Sequence, residues 1–184
     1  QAQKGLVLIS QNNIEGIQAL EKAIELDPSL VNVELALALQ YLKANEVNEA
    51  QQIADKLIKE HGNTASGYLL QGIISTKQNN IDQAIKSFEK AVSLEPKNVA
   101  SLYNLALLSV NKNNTDLAFS YFEQVLVISP EHRGALINYV KLASKSNQLV
   151  RSRDFLMELY NGKSLALTFA LAQNLRLNKQ INEA

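Results

Sequence analysis

Residues 78–98 read QNNIDQAIKSFEKAVSLEPKN, and residues 11–29 read QNNIEGIQALEKAIELDPS, so one pattern occurs twice in the chain. The step along the sequence from Pro96 to Pro130 is half the step from Pro28 to Pro96. Gly62 occupies the midpoint of the longer step. Proline and glycine both favour the end of a helix, because proline lacks an amide donor and glycine adopts left-handed backbone angles. A helix end is therefore predicted at Pro28, Gly62, Pro96 and Pro130, which divides the chain into units of equal length.

The sequence between two such ends has the periodicity of amphipathic helices. In residues 81–96, IDQAIKSFEKAVSLEP, apolar side chains recur mostly three or four positions apart, and charged side chains occupy the other face. Residues 65–77, ASGYLLQGIISTK, have the same periodicity and are followed by a polar turn at residues 78–80. Each unit is predicted to be two helices and a short turn. Neither helix buries its apolar stripe alone, so neighbouring units must stack.

These units resemble tetratricopeptide repeats, whose helix pairs carry small residues at helix crossings, an aromatic residue in the second helix and a proline after it. The third unit matches at Tyr68, Gly72, Ala84, Phe88, Ala91 and Pro96; the fourth at Leu102, Leu105, Ala106, Ala118, Phe122 and Pro130; the second at Leu37, Ala38, Tyr41, Ala50 and Leu57. The resemblance covers the whole chain. It implies an all-α fold, a right-handed α-solenoid of stacked antiparallel helix pairs.

The repeat register predicts a single array of about five and a half repeats. Its limits are residues 1–30, 31–64, 65–98, 99–132, 133–163 and a truncated 164–184. Residues 177–184, LNKQINEA, are similar to residues 43–50, KANEVNEA, so a second helix is expected to have just begun where the sequence stops. Solenoids need a polar cap over each terminal apolar face. Because neither end supplies one, we expect a fragment of a longer chain that can self-associate through its uncapped ends.

Composition limits the classes of function. With 46% hydrophobic and 20% charged residues, the chain is expected to fold. Eighteen basic and eighteen acidic residues give a net charge of zero, which argues against nucleic acid as a partner. There is no cysteine to form a disulfide or a thiolate site, and no apolar stretch approaches the ~20 residues of a membrane span. We expect a soluble segment without membrane insertion, from the bacterial cytoplasm or the periplasm and cell envelope.

Two sequence features that resemble catalytic or metal-binding motifs lack residues or spacing that such motifs require. Residues 161–164, NGKS, resemble the end of a phosphate-binding loop, but Met157 stands where its first glycine belongs and no strand precedes it. His61 and His132 lie in different units and lack the spacing that places two metal ligands on one helix face. We therefore predict no catalytic residue, no metal site and no cofactor, and the protein is expected not to be an enzyme.

The family resemblance implies that the first helices of successive repeats line a concave groove that binds a partner segment. The groove positions are Leu35, Leu39, Leu42, Leu69, Ile73, Lys77, Tyr103, Asn104, Leu107, Ile137, Asn138 and Lys141, with Phe169 and Gln173 at the end. These positions are mostly apolar. A clamp of cations around a terminal carboxylate is therefore not expected. An apolar peptide segment or helix of a partner protein is expected instead.

Three features of the groove permit a second interpretation. Apolar stripes are usually core, so adjacent helices would cover these leucines and narrow the groove. Asn104 and Asn138, one repeat apart, either hold a peptide backbone or only line the groove with polar groups. The lysines that recur at the ends of first helices either form a basic edge for an acidic partner or complement the helix dipole. These are Lys43, Lys77, Lys112 and Lys145.

The function predicted from these patterns is a non-catalytic scaffold for protein–protein interaction, with its binding site in the apolar groove. One alternative is a structural spacer or self-associating stretch of a longer array, for example in bacterial envelope or exopolysaccharide export. Another is a regulatory part of a larger enzyme.

Overall fold

A computed structural model gives the structure of the protein and describes residues 2–10, 15–27, 30–60, 64–160 and 162–182. These residues form helices without any strand, and the chain divides into two compact units, Gln1–Pro96 and Lys97–Ala184. The first unit contains α1 (Ala2–Ser10), α2 (Glu15–Leu26), α3 (Val31–Lys43), α4 (Val47–Glu60), α5 (Ala65–Lys77) and α6 (Ile81–Leu94). The second contains α7 (Val99–Asn111), α8 (Thr115–Ile128), α9 (Arg133–Lys145), α10 (Leu149–Leu159) and α11 (Leu165–Asn182). The predicted all-α fold of helix pairs is confirmed.

Prolines follow the second helices as predicted from their spacing. Helix α6 ends at Leu94 and Pro96 follows it, and α8 ends at Ile128 and Pro130 follows it. Pro28 lies outside the described residues, as does Gly62. A proline placed just beyond a helix removes the donor that the next helical hydrogen bond would require.

An asparagine with a left-handed backbone joins the two helices of four pairs, from α3 and α4 to α9 and α10. The φ angles are 67° at Asn45, 60° at Asn79, 58° at Asn113 and 55° at Asn147. Asparagine adopts this conformation more readily than other residues with a side chain, because its short polar group bonds to nearby backbone. The side chain of the following residue caps the next helix where this is Asn80 or Asn114, each accepting a hydrogen bond from the backbone three residues on. One turn design therefore recurs with the period of the repeat.

The core of the first unit forms between neighbouring helix pairs. Leu70 and Ile74 of α5 pack in one cluster with Leu57 of α4. A second cluster joins Leu20 of α2 to Leu37 of α3. Each pair thus buries its apolar stripe against the next pair, which is the stacking that the repeats require.

Close approach of α5 and α6 depends on a glycine. A Cβ atom added to Gly72 would lie 2.5 Å from Cε1 of Phe88, whose ring is fully buried. Ala84, Ala106 and Ala118 are fully buried as well. Small residues at these positions leave room for the neighbouring helix.

One ion pair and one tyrosine link helices of the first unit. The buried Glu34 of α3 lies 2.5 Å from Lys56 Nζ of α4, and this hydrogen bond raises the pKa of Lys56. Tyr41 of α3 donates from Oη to Glu21 Oε1 of α2 at 2.6 Å. Burial and then this hydrogen bond raise the pKa of Tyr41. Each of these two contacts therefore joins a polar group of α3 to a partner on a neighbouring helix.

A cluster around Tyr139 links three helices of the second unit. Tyr139 of α9 donates from Oη to Glu123 Oε1 of α8 at 2.9 Å, and Arg151 of α10 donates to the same oxygen at 3.1 Å. The Arg151 guanidinium also lies 4.4 Å from the ring centre of Phe119, which meets Tyr139 edge to face. Burial, followed by the hydrogen bond to Glu123, raises the pKa of Tyr139. These contacts fix α9 between the two second helices.

The end of the described chain corrects one prediction. The sequence predicts a turn in residues 177–184, but α11 is a single helix over Leu165–Asn182. In the similarity of LNKQINEA to KANEVNEA, Lys179 takes the position of the left-handed Asn45. Lysine is a good helix former and disfavours left-handed backbone, so the helix continues. The predicted start of a second helix is therefore wrong for the described residues.

Within the ranges that the structure describes, no helix combines the length and the apolar character needed to cross a bilayer.

Candidate functional site

The predicted groove residues of the first unit lie on α3 and α5 and differ in exposure. Leu35, Leu39 and Ile73 are half-buried and rest on the core cluster of α3, α4 and α5. Leu42 and Leu69 are each only 6% exposed. Helix α5 contacts α3, α4 and α6, so its side chains are covered from several directions. Leu69 is therefore largely buried, and its place in a binding groove stays a prediction.

A shallow cleft of about 530 Å³ opens between α3 and α5. It is lined by Ala36, Leu39, Gln40, Leu42, Lys43, Ile73 and Lys77. Lys43 and Lys77 are the last residues of their helices and are exposed. The cleft therefore has an apolar floor and two cations at its edge.

In the second unit, the predicted residues of α7 are held by neighbouring aromatic and polar groups. The Tyr103 ring lies 4.7 Å from that of His132 and 6.1 Å from that of Phe122, measured between ring centres. Asn138 of α9 donates from Nδ2 to Tyr103 Oη at 3.0 Å. His132 caps α9, because its Nδ1 accepts from the Ala135 amide at 3.0 Å. Tyr103 thus packs at the start of α9, and its hydroxyl oxygen accepts a hydrogen bond from Asn138.

The two asparagines that recur one repeat apart use their amide donors within the fold. Asn104 Nδ2 donates to the Ala100 carbonyl at 2.8 Å. Asn138 Nδ2 donates to the Gly134 carbonyl at 2.9 Å as well as to Tyr103. Both amide protons of Asn138 are therefore engaged, which leaves its carbonyl oxygen as the group for a ligand. Binding of a peptide backbone by these two asparagines stays a prediction. In such binding Asn138 would only accept hydrogen bonds.

A group of exposed apolar side chains in the second unit lies between α9 and α11. Ile137 is 55% exposed, Leu165 85% and Phe169 66%. They surround a cavity of about 300 Å³, called the anchor cavity here and lined by Arg133, Leu136, Ile137, Leu165, Ala166, Phe169, Ala170 and Gln173. Three large apolar side chains in water around one concavity are typical of a surface that binds a partner.

The sequence predicted part of the anchor cavity and missed part. Ile137, Phe169 and Gln173 were expected to face the groove, and all three line the cavity. Leu165 was missed, although it lies four residues before Phe169 and so shares its helix face. The same spacing would have identified it.

Two smaller cavities extend this surface. One, of about 110 Å³, is lined by Leu107, Val110, Asn138, Lys141, Leu142 and Lys145 from α7 and α9. The other, of about 250 Å³, is lined by Phe169, Ala172, Gln173 and Arg176 of α11. The first helices of the second unit therefore present a run of concavities, hereafter the first-helix face, with apolar and cationic linings side by side.

Over the described ranges, no three or more His, Cys, Asp or Glu side chains are grouped suitably for a metal. His132 serves as a helix cap, and His61 lies outside the described residues.

Three family models match the sequence. Two described as tetratricopeptide repeat match residues 33–64 and 99–132, and one described as TPR repeat matches residues 72–112. The chain belongs to the tetratricopeptide repeat family. A comparison with the sequences of curated proteins gives no significant match.

Solved structures of similar fold agree with this membership. PilF of Pseudomonas aeruginosa is 24% identical, with a TM-score of 0.72 over 98% of this chain and 82% of its own. Yeast Tom70 is 21% identical, with a TM-score of 0.72 over 99% of this chain and 42% of its own. YrrB, described as a TPR protein with an unusual peptide-binding site, is 19% identical, with a TM-score of 0.57 over 95% of this chain and 88% of its own. At these identities the likeness concerns the fold, and it confirms the predicted solenoid class.

Proposed function

We propose that this tetratricopeptide repeat protein is a non-catalytic scaffold that binds an apolar segment of a partner protein on its first-helix face. The anchor cavity is the main contact, and the cleft between α3 and α5 of the first unit is a second apolar site.

The exposure of Ile137, Leu165 and Phe169 around one cavity carries this proposal. Exposed apolar side chains are ordinary when they are scattered, but a cluster around a concavity marks an interaction site. Burial of each such side chain contributes about 1.5–3 kcal/mol. Ordering of the partner segment offsets part of this gain, so we expect affinities in the micromolar range.

The fold supports a peptide or helix as the bound group. YrrB is described as a TPR protein with a peptide-binding site, and the present chain shares its fold. Helices presented side by side form a groove into which an apolar helix face or an extended segment fits. The described residues that line the anchor cavity include no acid, histidine or hydroxyl side chain that would serve as a nucleophile or base.

The test is selection of binders from an unbiased display library of 12-residue peptides. Selected peptides are then labelled, and their binding is measured by fluorescence polarisation. Ile137→Glu with Phe169→Glu should weaken binding at least tenfold, because charge in the anchor cavity removes the apolar contact.

The matched control is Val127→Glu with Met157→Glu. These two residues are similarly exposed but lie on the second helices α8 and α10. We expect the control to bind like the wild type. If no peptide is selected, or if both double variants bind equally well, the spacer or self-association alternative takes the place of this proposal.

A further inference from the structure

The second unit separates its charges between first and second helices. Its first helices α7, α9 and α11 contain no acidic residue. They carry the cations Arg133, Lys141, Lys145, Arg176 and Lys179. The helical acids of this unit, Asp116, Glu123, Asp154 and Glu158, all lie on α8 and α10. A chain of zero net charge thus presents a cationic first-helix face.

Cations on the two kinds of helix also differ in their partners. Arg151 of α10 pairs with Glu123 and Asp116, and Arg153 pairs with Asp154. On the first-helix face, four cations are exposed and make no ion pair with any residue that the structure describes; they are Arg133, Lys141, Lys145 and Arg176. Their charge is therefore available to a partner.

These cations flank the apolar side chains of the anchor cavity. Arg133, Ile137 and Lys141 are spaced four residues apart along α9, which places them on one face with successive residues about 6 Å apart along the axis. Arg133 lines the anchor cavity itself. Arg176 lines the adjoining cavity together with Phe169. An apolar anchor point thus has a cation on each side.

The helix dipole does not account for this arrangement. A cation is favoured at a helix C-terminus and disfavoured at an N-terminus. Lys145 is the last residue of α9 and fits that explanation, but Arg133 is the first residue of the same helix. Arg176 lies well inside α11, away from both ends. The helix dipole therefore explains neither Arg133 nor Arg176.

We propose that the first-helix face of the second unit binds an acidic, amphipathic segment of a partner protein. An apolar side chain of this segment enters the anchor cavity between Ile137 and Phe169, and its carboxylates face Arg133, Lys141 and Arg176. This inference rests on the proposed function and specifies the chemistry of the partner. Charge complementarity of this kind raises the association rate and excludes basic segments.

The test uses four fluorescent 12-residue peptides with amidated C-termini, so that no terminal carboxylate takes part. The first has a central Phe flanked by Glu and Ser. In the second each Glu is replaced by Gln, in the third by Lys, and the fourth has Ala in place of Phe. We expect the glutamate peptide to bind at least ~10-fold more tightly than the glutamine peptide at low salt, and the lysine and alanine peptides to bind more weakly still.

Charge reversal then locates the contact. Arg133→Glu with Lys141→Glu should weaken binding of the glutamate peptide about tenfold and leave binding of the glutamine peptide unchanged. Lys86→Glu is the control, because Lys86 is an exposed cation on the second helix α6. Circular dichroism melts verify that each variant is folded.

The outcomes separate this inference from the proposed function. Equal binding of the glutamate and glutamine peptides, or no loss on charge reversal, overturns the inference while the anchor cavity stays a binding site. Tighter binding of a single-stranded oligonucleotide than of the glutamate peptide also overturns it. If none of the four peptides binds, the inference fails, and the unbiased library decides whether the proposed function fails with it.

Discussion

The side-chain amide of Asn138 in α9 donates to the phenolic oxygen of Tyr103 in α7 at 3.0 Å. The same amide donates to the carbonyl of Gly134 in its own helix at 2.9 Å. Among the described residues, the Asn104 side chain, one repeat earlier, makes the corresponding bond within its helix, to Ala100, and none to another helix. Two asparagines in one repeat position therefore have different structural roles, because only Asn138 links two first helices.

This difference predicts unequal costs for two matched substitutions. Asn138→Ala and Asn104→Ala each remove a bond to the same helix, but only Asn138→Ala removes the bond to Tyr103. We expect Asn138→Ala to lower the free energy of unfolding by about 1 kcal/mol more than Asn104→Ala does. Urea denaturation measures both, and Tyr103→Phe should show a similar loss. Equal losses would contradict the interhelical role of Asn138.

Gly72→Ala should destabilise the first unit although alanine favours helices. The added Cβ would lie 2.5 Å from the buried ring of Phe88, and overpacking of this kind costs about 1–3 kcal/mol. The gain in helix propensity, about 1 kcal/mol, offsets only part of this cost. In a Phe88→Leu background the cost of Gly72→Ala should shrink, because the ring edge is gone. Thermal melting of the four proteins checks this, and the same cost in both backgrounds would refute the clash.

The asparagine turns predict a specific order of stability among substitutions. At Asn113, where φ is 58°, Asn113→Gly should be nearly neutral and Asn113→Ala should cost about 1–2 kcal/mol. Asn111→Ala, at the last residue of α7, serves as the helical control and should have little effect. Chemical denaturation gives the values. An alanine variant as stable as the glycine variant would mean that this turn does not require left-handed backbone.

How far the sequence predicts this structure depends on the range of the interactions involved. Helix ends at Pro96 and Pro130 were predictable, because proline acts on its own backbone. The asparagine turns were readable from the recurrence of Asn45, Asn79 and Asn113 one repeat apart, but a polar turn alone does not reveal the sign of φ.

Burial was harder to predict, because it depends on several neighbours at once. Leu69 shares the periodicity of an exposed groove residue, yet it is only 6% exposed on a helix that contacts α3, α4 and α6. Leu165 looks ordinary at the start of a helix, and it is more exposed than Ile137 and Phe169, the other large apolar side chains that are exposed around the anchor cavity. Neither the cover over Leu69 nor the cavity beside Leu165 is a property of its own helix.

Alkaline pH should destabilise the protein in part through Tyr139. Burial and the hydrogen bond to Glu123 raise the pKa of Tyr139 above the ordinary value of about 10. As pH rises past about 10, the unfolded chain releases this proton while the folded chain retains it, so stability falls by up to ~1.4 kcal/mol per pH unit. Below that pH the contribution is fully present. Tyr139→Phe should therefore show a flatter decline between pH 9 and 11.

Two other groups of the first unit act in the same direction at high pH. The pKa values of Tyr41 and Lys56 are also raised, so the wild-type decline is shared and Tyr139→Phe reduces it without abolishing it. Urea denaturation at each pH gives the slopes. Identical slopes for Tyr139→Phe and the wild type would contradict the assignment.

The central claim, that the first-helix face of the second unit binds a partner segment, is tested most directly by NMR. A ¹⁵N-labelled sample is titrated with the tightest peptide from the unbiased library, and the amide shifts are followed. The account predicts that the largest changes cluster around Ile137, Leu165 and Phe169, with little change around Val127 on α8. Largest changes on α8 and α10, with none around the anchor cavity, would contradict it.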